Sequence, residues 1–298
     1  MKIANAPCSW GVLEFGLEGQ TDHYSKVLDE MTETGYLGTE LGDWGFMPTE
    51  PKNLQKELNK RDLNLVGAFV PVNFIDEKSH REGAENAVKI ANLLKETDPE
   101  NARIVLSDDN GKNKTRTSNA GRIKPEHGLS ESEMKQFAKG VEYVAKEVME
   151  KTGLISVFHH HCAGFIETPI EIERLLQNTD RDLVSLCFDT GHYEFGGGNA
   201  LEGINKFSDR IRHVHFKDFD KKLYTTTLED NLNYFESVRN GIFCELGNGS
   251  IQFNRIYEEL SNQNYDGWVV VEQDVLPGMG SPKASAQRNL EYLRSIGM

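Results

Sequence analysis

Apolar residues recur along the chain in short blocks separated by longer stretches of helical period. The blocks at 3–8, 36–41, 63–70, 102–106, 154–161, 183–189, 211–217 and 267–272 are rich in Val, Ile, Leu and Phe and read as strands. The block at 63–70 is almost continuously apolar, as expected of a strand covered on both faces. Between the blocks, helical spacing predicts a helix over 21–34, with Val27, Leu28 and Met31 on one face and Gly35 as its stop. A second helix follows Pro51 and ends near Arg61, and a third covers 82–96 with Ala84, Ala87, Val88, Ala91 and Leu94 inward. The fourth begins at Ser130, which forms a capping box with Glu133, and buries Phe137, Val141, Val144, Ala145 and Val148. The fifth starts after Thr168-Pro169, a short one spans 200–207, and an irregular crossover holds a helical stretch at 228–238. Helices over 253–261 and 285–295 complete the series.

Eight strands, each followed by helical sequence and with no compositional break, predict one α/β domain over 1–298. Closure of eight such units gives a (β/α)8 TIM barrel, with a doubly wound open sheet as the alternative. The segment 107–127 breaks the rhythm, being rich in Asp, Asn, Gly, Lys and Arg, and is expected to be a long loop covering a site. The triple glycine at 196–198 has no GxGxxG or Lys-Ser/Thr context, which disfavours a phosphate cradle.

The 298 residues suit a single barrel of roughly 250 residues. A formal charge of -14 repels phosphate backbones and anionic lipid, so neither nucleic acid nor membrane is an expected partner. Small polyols or sugars are, and further copies of the chain in a homo-oligomer. The amino terminus lacks a signal peptide's apolar middle region and no run reaches a membrane span, so a cytoplasmic location is expected. Cys8, Cys162, Cys187 and Cys244 form no CxxC pair and are expected to be reduced thiols.

The chemistry gathers at strand ends. Val157-Phe158-His159-His160-His161, Cys187-Phe188-Asp189-Thr190-Gly191-His192, His213-Val214-His215-Phe216-Lys217-Asp218 and Trp268-Val269-Val270-Val271-Glu272-Gln273-Asp274 each close an apolar strand with His, Asp or Glu. Carboxyl ends of parallel barrel strands meet at one face, where such groups could encircle a metal. Alternation selects Asp189, His215 and Glu272 from strands six to eight, with His159 from strand five preferred over His161. His161, on the same face as His159, and Trp10, past the first strand, are candidate substrate contacts. His192 could bind substrate or move a proton, and Lys217 could be an electrophile, or a base if burial lowered its pKa. Glu40 is a candidate second base; the bland reading pairs Lys217 with Glu40 or Asp218.

The histidine run at 159–161, Asp-Thr-Gly-His at 189–192, His-Val-His-Phe-Lys-Asp at 213–218 and Trp-Val-Val-Val-Glu-Gln at 268–273 resemble the inosose dehydratase family, as does Gly-Thr-Glu-Leu-Gly at 38–42. That family lies within the xylose-isomerase-like group of sugar isomerases and epimerases. The resemblance implies a TIM barrel with one divalent metal, manganese or cobalt first, with zinc, iron or magnesium as alternatives. It places Asp189, His215 and Glu272 as ligands; His159 stands where the wider group has Glu. The segment from Asp108 to Gly111 and the loop after it depart from the family. The implied reaction dehydrates 2-keto-myo-inositol, in inositol catabolism: Lys217 or Glu40 takes the proton beside the carbonyl, and His192 protonates or positions the leaving hydroxyl. Two other readings stand beside it, a metal-dependent isomerase or epimerase of a ketose and a non-catalytic metal- or sugar-binding barrel.

Overall fold

The structure, a computed structural model, describes residues 1–12, 23–276 and 278–298. Its strands are β1 (Lys2–Asn5), β2 (Gly38–Glu40), β3 (Asn64–Val72), β4 (Arg103–Asp108), β5 (Ser156–His159), β6 (Val184–Asp189), β7 (Ile211–Phe216), β8 (Asp218–Phe219), β9 (Phe243–Cys244) and β10 (Trp268–Val271). Eight of them close a barrel in the order β1-β2-β3-β4-β5-β6-β7-β10. Every neighbouring pair in it is parallel. The remaining two, β8 and β9, form an antiparallel ribbon in the crossover after β7.

Alternation along each strand divides its side chains between two compartments. Phe158, Leu186, Phe188, Val214, Phe216, Val269 and Val271 face outward into the main core, under helices such as Tyr24–Thr34, Ser79–Thr97 and Glu131–Thr152. Full burial of each such side chain stabilises the fold by about 1.5–3 kcal/mol. The intervening residues face into the barrel. Val105, Val157 and Cys187 form an apolar layer there, and Asp189, His213 and His215 lie on the same inward side. The parallel arrangement therefore delivers inward polar residues to one end.

Local signals set most boundaries. Ser130 Oγ accepts from the Glu133 amide and Glu133 answers with an oxygen 2.8 Å from the Ser130 amide, the capping box expected there. Gly35 ends its helix at φ 100°, a conformation open to glycine.

Several expectations need correction. The first helix begins at Tyr24, and residues 21–22 lie outside the described residues. The third starts at Ser79 and the last at Pro282. β5 stops at His159, because the chain turns at once and Ala163 takes φ 66°. The segment 107–127 is not structureless: β4 runs through Asp108, a helix forms at Lys114–Ser118, and a 3-10 turn at Pro125–His127. The expected stretch at 228–238 is two helices, Lys221–Glu229 and Tyr234–Arg239, parted where Asn231 takes φ 53°.

Candidate metal and active centre

β5, β6 and β7 and the residue after β10 bring His159, Asp189, His215 and Glu272 together, each offering a ligand atom within 4.8 Å of the others. His159 Nε2 and His215 Nδ1 lie 3.7 Å and 3.8 Å from Asp189 Oδ2. His215 Nδ1 is 3.3 Å from Glu272 Oε1.

Neighbouring groups aim these atoms. Asp189 caps the helix Thr190–Phe195, its Oδ1 accepting from the His192 amide at 2.7 Å, which leaves Oδ2 toward the ring. His215 Nε2 is 3.0 Å from Glu40 Oε1, an oxygen that also takes His213 Nε2 at 2.8 Å. A carboxylate accepts, so His215 keeps a proton on Nε2 and turns Nδ1 to the ring, where its lone pair becomes available once the second proton leaves. Burial pushes the Glu40 carboxyl up, but His215 and His213 outweigh it and hold it at about 2.

Whether these residues fit a metal can be judged from what they lack. His159 Nδ1 and Nε2, Asp189 Oδ2 and His215 Nδ1 are buried with no hydrogen-bond partner. Each unmet buried polar atom costs on the order of 1–3 kcal/mol, a cost that a bound cation would offset. Burial, then the charge of His215, keeps His159 neutral with a pKa of about 3, leaving its lone pair available. Burial also lowers His215, but Cys187, Glu272 and Glu40 outweigh it, so a proton there occupies the place of a cation's charge. Two imidazoles and two carboxylates suit a borderline divalent ion. The residues fit.

A cavity opens above the ring, lined among others by Cys8, Asp43, Phe69, His161, Tyr234 and Asp274. Lys217, also on its wall, places Nζ 3.2 Å from Asp274 and 3.4 Å from Glu272. Burial would lower the Lys217 pKa, but Asp274, Glu272 and Asp189 raise it well above the ordinary value. The bland pairing of Lys217 with Glu40 or Asp218 is corrected, its partners being Glu272 and Asp274, whose charges favour the ammonium. Glu40 lines the cavity but spends one oxygen on two histidines.

His161 donates through Nδ1 to the Cys162 carbonyl at 2.6 Å, so its lone pair is on Nε2. Burial, then His159 and Lys217, lowers its pKa to about 3. His192 packs against His161 with ring centroids 3.8 Å apart and planes tilted by 38°, and accepts from the Cys162 amide, so it supports that ring from behind the cavity wall. Trp10 is buried in the main core with its indole N–H on Glu30 at 2.7 Å, outside the cavity lining.

Asp274 was open to sequence reasoning, since two-residue alternation from Glu272 points it the same way. Tyr234 opens the helix Tyr234–Arg239 in the crossover after β7 and Asp43 lies in the bend after β2, and no strand alternation points either of them at the site.

The xylose isomerase-like TIM barrel family model matches residues 28–296. The inosose dehydratase of Lacticaseibacillus casei is 30% identical over 293 residues, 98% of this chain and 96% of that one. The inosose dehydratase of Bacillus thuringiensis (strain Al Hakam) is 31% identical over 294 residues, 99% of this chain and 96% of that one. The solved structure of the IOLI protein with a bound zinc atom superposes with a TM-score of 0.71, covering 99% of this chain and 98% of that one at 16% identity, and shares the fold.

Proposed function

The chain belongs to the xylose isomerase-like TIM barrel family and, within it, with the inosose dehydratases; from that premise we propose that it is a metal-dependent hydro-lyase acting in the cytoplasm on a cyclic keto-polyol such as 2-keto-myo-inositol. The observation that carries the reading is the ring of partnerless donors beside Lys217 and His161 on one cavity wall. His159, Asp189, His215 and Glu272 would hold one divalent ion, manganese or cobalt first, which supplies Lewis-acid polarisation of the ketone.

The chain's own residues divide the proton work. His161 is neutral, so its Nε2 can take the proton from the carbon beside the carbonyl. Once protonated it is a strong acid, because its surroundings disfavour the charge. It passes the same proton to the departing hydroxyl: one C–H and one C–O bond break, a C=C bond forms, and water leaves. Lys217 stays an ammonium throughout, held by Asp274, and donates to the oxygen on which negative charge develops. Glu40 fixes the His215 tautomer, and His192 holds the His161 ring.

Incubating the metal-loaded protein with 2-keto-myo-inositol and weighing the product tests this directly. The expected result is loss of one water, abolished by a chelator and restored by manganese or cobalt. Unchanged mass there, with isomerisation of a ketose panel, would establish the epimerase reading. Binding without turnover would establish a non-catalytic barrel.

A further inference from the structure

The barrel floor gathers a second set of donors. His159 and His215 also converge with Cys187, the three offering ligand atoms within 4.8 Å of one another. Cys187 precedes Asp189 by two residues on β6, so it points into the barrel one layer deeper, in register with His159 and His213. Val105 and Val157, backed by Phe69, pack against Cys187 from the apolar side of the barrel interior.

The two imidazoles differ in how firmly they are held. His215 has Glu40 behind its Nε2, the support a ligating histidine ordinarily has. His159 has none, both its ring nitrogens lacking a hydrogen-bond partner although the side chain is buried. Nothing commits it to the carboxylate ring above rather than to the thiol beside it.

We propose that His159, Cys187 and His215 form a second metal seat, thiolate-containing and selective for a softer divalent ion such as Zn2+, which overlaps the carboxylate seat through both imidazoles. Thiolate favours zinc, whereas manganese and magnesium favour oxygen, so the identity of the ion decides which seat it takes. As the Zn–S bond forms, the S–H bond breaks and its proton goes to solvent. Asp189 Oδ2, 3.7 Å and 3.8 Å from the two imidazoles, is in reach as a fourth donor. Zinc in this seat lies below the cavity wall that carries Lys217 and His161, so the zinc form turns over more slowly than the manganese form.

The proposal builds on the metal reading above, and its test measures coordination rather than turnover. Zinc X-ray absorption of the full chain loaded with one equivalent is expected to show a sulfur scatterer at about 2.3 Å, and manganese loading only nitrogen and oxygen. Cys187→Ser should lose the sulfur and Cys8→Ser, in the cavity wall, should keep it. Cys187→Val, which preserves the apolar layer, gives the same reading if the serine variant does not fold. A zinc site with no sulfur in the parent chain, or a sulfur that survives both Cys187 variants, overturns the proposal. Failure of dehydration leaves a zinc–sulfur bond standing, and active dehydration with an all-nitrogen and oxygen zinc site removes the second seat alone.

Discussion

Two buried polar clusters lie in consecutive β/α loops of this barrel, and they treat their charges in opposite ways. In one, Arg116 meets Glu171 with two parallel bonds of 2.8 Å and 2.9 Å and gives Nε to the Gly164 carbonyl at 2.6 Å. Glu167 beside it accepts the Gly121 and Ala163 amides at 2.7 Å and 2.8 Å. Glu171 also takes the Glu167 and Thr168 amides. This cluster is closed upon itself and pins the loop after β4 to the loop after β5. In the other, at the ends of β5, β6 and β7, three buried polar atoms, His159 Nε2, Asp189 Oδ2 and His215 Nδ1, converge without hydrogen-bond partners. The first cluster spends its charge on order; the second leaves its donor atoms unmet by protein, as the proposed metal seat requires.

The contrast can be broken from either side. Removing metal with a chelator should abolish turnover, and Asp189→Ala should do so permanently, at a cost in unfolding free energy of only about 0.5–2 kcal/mol from the lost cap of the helix Thr190–Phe195. Arg116→Met should do the reverse. It leaves Glu171 and Glu167 buried without their cation, so unfolding free energy by urea should fall by about 3–5 kcal/mol, with metal affinity of the folded fraction preserved.

Within the open cluster the effects are graded. Lys217→Met and His161→Gln should each lower kcat by on the order of 10²–10⁴, with the bound metal retained by elemental analysis. Glu40→Gln loosens only the support of His215, and a competitive chelator titration should show metal affinity reduced by roughly 10–100-fold. The mildest probe is pH. Burial chiefly, against the pull of Arg116, raises Glu167 to about 7 from its ordinary 4.5. The folded protein therefore binds a proton that the unfolded chain has released, and this contribution is full below pH 4.5 and lost as pH rises through about 7. Glu167→Gln should flatten that part of the stability profile, a change of at most ~1.4 kcal/mol per pH unit.

The same contrast explains what the sequence could reveal. Alternation assigns Phe158 and Phe188 to the helices and His159 and Asp189 to the interior, because every barrel strand is covered on both faces and its period is two. The ring of four was legible for that reason. The ordered loop after β4 was not, since it depends on Arg116 finding Glu171, 55 residues away, and nothing local signals the pairing. The charge of Lys217 was hidden in a similar way: it is set by Asp274, whose approach requires the barrel to close between β7 and β10. Trp10 and His192 read as site residues from their positions beyond strand ends, yet packing turns one into the core and the other behind His161.

The most direct test of the account is a metal titration of stripped protein in the presence of 2-keto-myo-inositol, recording bound manganese and released water together. Turnover should rise in proportion to bound metal and level off at one ion per chain, and the Asp189→Ala variant should stay flat. Full turnover before any metal is added, or a plateau that Asp189→Ala still reaches, would contradict the claim that the unmet ring is the seat on which catalysis depends.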